Sequence, residues 1–275
     1  MSRPFPNPRP ADLRAARAPQ LAGAAVAAAV LIFAVPAAAS IADLQARADA
    51  GEARAQMSLG LAFYRGDEAP ADMQRAVTWF RKAAAQNYAP AEAMLASLYA
   101  EGAGVPFDSK QSINWLRRAA VHGLSQAQVA LGQAHDEGKD VRQDPREAAH
   151  WFQAAAAQGD AEGQRLLGEA YLQGRGVAPD AGKALELLRA AADKGDAGAE
   201  DDLGRLYEEG AALPSNLVEA RKWFVLAASH CKTWRVCDAA ARNGLRVKAK
   251  MSVIEIEAAD KVVQAWSAKP GRPAG

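Results

Sequence analysis

A chain of 275 residues, half of them hydrophobic and with a formal net charge of +1, is long enough to bury a sizeable core and too evenly charged to present a nucleic-acid-binding surface. Two cysteines and four histidines exclude a disulfide-dense scaffold and any ligand set recurring along the chain, so no metal or cofactor is implied. No run alternates as a strand does, and alanine dominates, so an all-α chain of closely packed helices is expected.

The first 39 residues stand apart from the rest of the chain. Residues 1–20 are Pro-rich and basic, with Arg3, Arg9, Arg14 and Arg17 against Asp12. Residues 21–36 are apolar, and Ala37, Ala38 and Ala39 fit a small-x-small cleavage rule. Basic, apolar and small residues in that order describe a secretory signal peptide. The competing reading is an uncleaved membrane anchor, because the apolar stretch to Ala39 spans 19 residues. Its many alanines make it only moderately hydrophobic, which favours export and cleavage. The expected location is therefore periplasmic or secreted, with membrane contact only if the segment is retained. Its removal leaves 29 basic and 31 acidic residues, a charge near −2.

Residues 40–52 are read as an amino-terminal capping segment. A period of 36 residues then holds its phase five times, in units 53–88, 89–123, 124–159, 160–195 and 196–230. Leu59-Gly60 recurs as Leu95-Ala96, Leu131-Gly132, Leu167-Gly168 and Leu203-Gly204. Trp79 recurs as Trp115, Trp151, Leu187 and Trp223, and the pair Ala83-Ala84 recurs in step. Each unit reads as helix, loop, helix. The first helix ends on glycine, at Gly66, Gly102, Gly138, Gly174 and Gly210. The second opens on an N-cap, at Asp72, Asp108, Asp144, Asp180 and Asn216, and in the third unit Pro145 takes the first helical position. The paired alanines let the next unit's first helix approach closely, while Trp or Leu four residues earlier fills the space between. One unit repeated on itself makes a solenoid, whose stability is roughly a sum of unit and interface terms.

These residues resemble the Sel-one-like repeat (SLR), a relative of the tetratricopeptide repeat. The fourth unit carries the pattern most fully, with Leu167-Gly168, Tyr171, Gly174-Arg175-Gly176-Val177, Asp180, Lys183-Ala184 and Gly195. A plain tetratricopeptide array has a period of about 34 and lacks the glycine loop. The resemblance implies a right-handed α-solenoid with terminal capping helices. It also implies a scaffold and not an enzyme: SLR proteins resembling this one are commonly periplasmic adaptors for a signalling or envelope-assembly partner. Departures are local: Asp67-Glu68-Ala69-Pro70 replaces the glycine-valine loop, His135 stands where Tyr99 and Tyr171 do, and Leu187 replaces Trp.

Past the array, Cys231 and Cys237 flank a five-residue stretch. In an exported chain an isolated close pair points to a disulfide that staples residues 231–237; two free thiols in a helical cap are the alternative. Residues 238–268 are read as capping helices, the first interrupted at Asn243-Gly244 and the second opened by a Ser252–Glu255 capping box, with 269–275 as a tail.

No residue set makes an active site. His122, His135, His150 and His230 stand in different phases of the repeat and read as surface or interface histidines. The Gly-x-Gly loops at 102–104 and 174–176 follow helices instead of strands, which argues against a dinucleotide site. The Asp ladder is explained by N-capping. First helices of related arrays line the concave side, so positions two before, two after and five after the repeated Leu are expected to face a partner-binding groove. These are Met57, Leu61, Tyr64, Ala93, Ser97 and Ala100 at one end, and Arg165, Glu169, Leu172, Asp201, Arg205 and Glu208 at the other. An amino-terminal cap over the first group is the competing expectation. A protein partner of unknown identity is one functional reading; a peptidoglycan- or glycan-associated binder or enzyme of the envelope is the other. If the leader is cleaved, amino-terminal sequencing of the exported protein should begin at or near Ser40; an intact Met1 on membrane-bound material would establish the anchor.

Overall fold

The computed structural model describes residues 41–67, 70–210 and 213–267; the leader 1–39 and the tail 269–275 lie outside them. Among the described residues there are thirteen helices and no strands. Helix α1 (Ile41–Asp49) precedes five pairs: α2 (Ala53–Arg65) with α3 (Met73–Ala84), α4 (Ala89–Glu101) with α5 (Ser109–Val121), α6 (Ser125–Glu137) with α7 (Pro145–Ala157), α8 (Ala161–Gln173) with α9 (Ala181–Ala192), and α10 (Ala197–Glu209) with α11 (Leu217–His230). Helices α12 (Trp234–Lys248) and α13 (Val253–Ser267) close the array. Helices pack in chain order, each pair on the next, as a solenoid requires.

The same chemistry starts every second helix. Asp72, Asp108, Asp144, Asp180 and Asn216 each accept a hydrogen bond from the backbone N–H three residues on. The N-cap's own N–H donates back to the carbonyl of Phe63, Tyr99, His135, Tyr171 or Tyr207 in the first helix, at 2.8–3.1 Å. The loop is thus closed at both ends, which explains why its length does not drift. In the fourth unit Gly176 adopts φ +73°, and a Cβ there would lie 1.9 Å from the Pro145 carbonyl oxygen of the preceding unit. The second glycine of the Gly-x-Gly loop serves close approach between units.

Within each unit the helix pair is set by one contact. A methyl group at Gly60 would lie 2.6 Å from Phe80 Cε1, at Gly132 2.5 Å from Phe152 Cε1, and at Gly204 2.6 Å from Phe224 Cε1. The second unit holds Ala96 and Leu116 at these positions, a larger residue on one helix and a smaller one on the other. The series Phe80, Leu116, Phe152, Leu188, Phe224 is buried in every unit. The tryptophans one residue earlier are shallower: Trp115 and Trp151 are half-buried, and cations lie over the rings of Trp79, Trp115 and Trp223.

Cys231 and Cys237 are joined in a disulfide. The stapled stretch is partly helical, since α12 already begins at Trp234, and α12 runs through Asn243-Gly244 without a break. Gly244 faces the Phe224 side chain and Asn243 donates to Asp201 at 2.8 Å, so both residues serve packing against the fifth unit. Ser252 and Glu255 form the expected reciprocal cap, and Trp266 of α13 packs edge-on against Trp223 with ring centroids 6.0 Å apart.

Gly132→Ala should destabilise the protein by about 1–3 kcal/mol through overpacking against Phe152. Adding Phe152→Leu should restore a good part of that loss, because it recreates the Ala96–Leu116 combination. Urea unfolding of the two single variants and the double variant measures the coupling.

Candidate protein-binding face

The structure divides the expected groove residues into two groups. Met57 (3% exposed), Leu61 (1%) and Ser97 (1%) are buried, as are Ala93 and Ala100, so they do not line an open groove. For Met57 and Leu61 the covering comes from the amino-terminal end. Helix α1 packs on α2, Leu44 and Ala48 join Met57 and Leu61 in one apolar cluster, and Gln56 Nε2 donates to the Ala48 carbonyl. The Ser97 hydroxyl turns back onto the Ala93 carbonyl. Tyr64 is half-buried against the same cluster. This cluster runs unbroken from Leu44 to Leu131, whereas the later units hold smaller separate clusters.

In the fourth and fifth units the same face is charged. Arg165 pairs with Glu169 and, at 3.4 Å, with Asp196; Arg175 reaches Asp136 at 2.5 Å and Glu169 at 3.8 Å. Arg205, its side chain 52% exposed, pairs with Asp201 at 2.5 Å. Glu208 is held by Arg246 and Lys250, which keep its carboxyl below the usual range, and so is tied to the closing helix α12. Burial, and then the charge of Glu169, push the neighbouring Asp202 carboxyl up to about 7. This face therefore joins four elements through charges, and Arg205 is the expected groove cation that reaches furthest into water.

A second polar series escaped the sequence reading. The fourth residue of each first helix meets a residue thirty positions on, at the end of the second helix: Gln56 with Gln86, Glu92 with His122, Gln128 with Gln158, Gln164 with Lys194, and Glu200 with His230. Separations run from 2.6 to 3.2 Å. Gln56 and Gln128 also donate to the last turn of the preceding helix, at Ala48 and Ala120. Glu92 cannot donate, and Arg118 supplies the bond to the Ala84 carbonyl while pairing with Glu92 at 2.9 Å. In the fifth unit Leu226 stands in Arg118's phase, so Glu200 has no such cation. Its carboxyl is pushed up to about 9, by burial first and then by the charge of Asp196. The signal in the sequence was a fixed spacing, obscured because the residue types change from unit to unit.

The Sel1 repeat family matches residues 53–88, 89–123, 125–160, 161–196 and 197–230. The chain belongs to the Sel1 repeat family. Its proteins generally mediate protein–protein interaction as non-catalytic scaffolds. Among solved structures, this Sel1 repeat chain is similar to c5321, a protective antigen of uropathogenic Escherichia coli with an SLR fold, at 30% identity and TM-score 0.67. That match covers 86% of this chain and 54% of c5321, so the chain spans about half the length of that relative. A Sel1 repeat protein from Oxalobacter formigenes matches at 36% identity and TM-score 0.63, over 69% of this chain and 78% of that one. No curated protein matches the chain.

Both raised carboxyls give stability the same pH sign. The folded Sel1 array keeps protons on Glu200 and Asp202 that an unfolded chain releases near the ordinary carboxylate values of 4.5 and 3.8. Their contribution to stability is fully present below the unfolded values and is lost as pH rises through about 7 for Asp202 and about 9 for Glu200. The slope is about 1.4 kcal/mol per pH unit for each proton held only by the folded state. Thermal melts from pH 6 to pH 9 should show this fall, and Glu200→Gln, which installs the residue found at 56, 128 and 164, should remove about one proton's share of it.

Proposed function

We propose that this chain is an exported scaffold that binds a protein partner through the first-helix face of its fourth and fifth units and carries out no chemistry of its own. The observation that carries this reading is the contrast along that face. Its amino-terminal end is closed by burial of Met57, Leu61 and Ser97, while Arg165, Glu169, Arg205 and Glu208 form a charged surface with Arg205 exposed. The family's general role in protein interaction supports the class of partner. The basic, apolar and small order of residues 1–39 supports export, and with it a partner in the cell envelope such as the sensor or assembly component of a larger system.

Charged contacts at the border of an interface act mainly on association rate and weaken with salt. Arg205→Ala should therefore lower partner affinity by about tenfold, chiefly through slower association at low ionic strength, with melting unchanged. The partner is first captured by cross-linking in the cell and identified by mass spectrometry, and affinity is then read with the purified pair. Unchanged affinity in folded Arg205→Ala would remove this face from the interaction. Leu61→Asp is uninformative about binding, because it buries a charge in the core and should unfold the first unit.

A further inference from the structure

The disulfide joins Cys231 to Cys237 across Lys232-Thr233-Trp234-Arg235-Val236. Trp234 is 77% exposed and Val236 36% exposed. A single exposed apolar residue is ordinary on a protein surface. Here the surroundings set it apart. The covalent ring and the first turn of α12 hold the indole outward, so little entropy is lost when it is covered. Lys232 and Arg235 flank it, and no carboxylate among the described residues pairs with either.

A cavity of about 560 Å³ opens beside the loop, lined by Lys194, Asp196, His230, Lys232, Thr233 and Val236 among others. Its wall also carries Asp196 and Glu162, which lie 3.4 Å and 3.9 Å from the Arg165 guanidinium and share it with Glu169. Lys194 bonds only the Gly159 carbonyl and Gln164, neither of them charged. Thr233, the N-cap of α12, makes no side-chain cap, which leaves the positive end of that helix dipole uncompensated beside the two cations. The loop thus offers an exposed aromatic plate flanked by two cations that no described carboxylate pairs, with Lys194 in the wall of the cavity beside it.

We propose that the Cys231–Cys237 loop is a docking element for an acidic segment of a partner protein. Carboxylates of that segment meet Lys232, Arg235 and Lys194, and one of its apolar side chains covers Trp234. The chain's own outlying segments do not fit, because residues 1–20 carry four arginines against one aspartate and residues 268–275 carry Lys269 and Arg272 with no acid. A membrane surface does not fit either: polybasic lipid docking draws on about four to eight cations at roughly 1 kcal/mol each. The inference rests on the reading of the chain as a protein-binding scaffold, and it places a contact outside the first-helix face.

The test places a photo-cross-linking amino acid at position 236, which leaves Trp234 intact, or at position 205, in the full chain expressed in cells. At 236 the captured partner peptide should be rich in Asp and Glu and contain an apolar residue. That peptide, synthesised, should bind the purified protein, at least tenfold more weakly to Trp234→Ala, and equally so to the Lys232→Glu/Arg235→Glu double variant, with helical content unchanged. Opening the ring with Cys231→Ser/Cys237→Ser should weaken it to a smaller degree. Capture of lipid, of a second copy of this chain or of a neutral or basic segment overturns the proposal, as does no capture at 236. Protein capture at 205 with none at 236 overturns the loop's role alone; capture at neither position overturns the scaffold reading as well.

Discussion

Everything in this array depends on how closely its two helices approach within a unit. The bare backbone of Gly60, Gly132 or Gly204 receives the edge of a phenylalanine ring at distances that a Cβ could not tolerate. That contact fixes the depth of the second helix, and the depth fixes where the N-cap can reach back to the first helix's carbonyl. A second close approach then transmits the geometry. The third residue of the following first helix is Ala91, Ala127, Gly163 or Ala199, and a Cβ at Gly163 would lie 2.6 Å from the Ala155 Cβ. Small residues at two phases of the repeat thus set the spacing within units and between them, and substitutions at either phase act on the whole stack.

Dry packing of this kind specifies distance well and rotation poorly. The buried polar pairs supply the missing restraint. A hydrogen bond between positions 30 residues apart is directional, and leaving either partner unpaired in the interior costs about 1–3 kcal/mol. The junctions solve the problem with different chemistry. Two use paired amides, one an amide and an ammonium, and two a carboxyl and an imidazole. Glu92 has Arg118 for company, and burial leaves Glu200 with a raised carboxyl in the absence of such a cation. The same repeat position is therefore structurally constant and electrostatically different along the chain.

The periodicity of the sequence made the architecture legible. Glycine stops, N-caps and the Leu-Gly phase each correspond to an observed helix boundary or contact. The candidate face was named by phase alone, and its amino-terminal set is buried. Helical phase puts Met57, Leu61 and Ser97 in the same register of the repeat as Arg165 and Arg205, but phase cannot tell whether a neighbour covers that side. At the amino-terminal end α1 does cover it, and there the apolar identity of Met57 and Leu61 was a sign of burial more than of binding. Phase also drew attention to the tryptophans, which are conspicuous, ahead of Phe80 and its equivalents, which lie deeper. Asn243-Gly244 read as a helix break because propensity alone disfavours it; tertiary packing on Phe224 and Asp201 overrides that preference.

An array of near-identical units gains its individuality where regularity ends, and in this chain several departures meet at one place. His230 is the last residue of the fifth unit, pairs with Glu200, and lies 5.8 Å by ring centroid from Trp266 of the closing helix. The next residue is Cys231, the start of the stapled loop. Charge on the Glu200–His230 pair, seating of the terminal helix and placement of the loop are therefore linked through covalent neighbours and direct ring contact. By contrast, the first two units and the first helix of the third share one apolar cluster. A physical asymmetry results: in the amino-terminal half the buried Glu92 carboxylate has both His122 and Arg118 as partners, whereas in the carboxyl-terminal half burial raises the Glu200 and Asp202 carboxyls, so a change of pH acts on that end first.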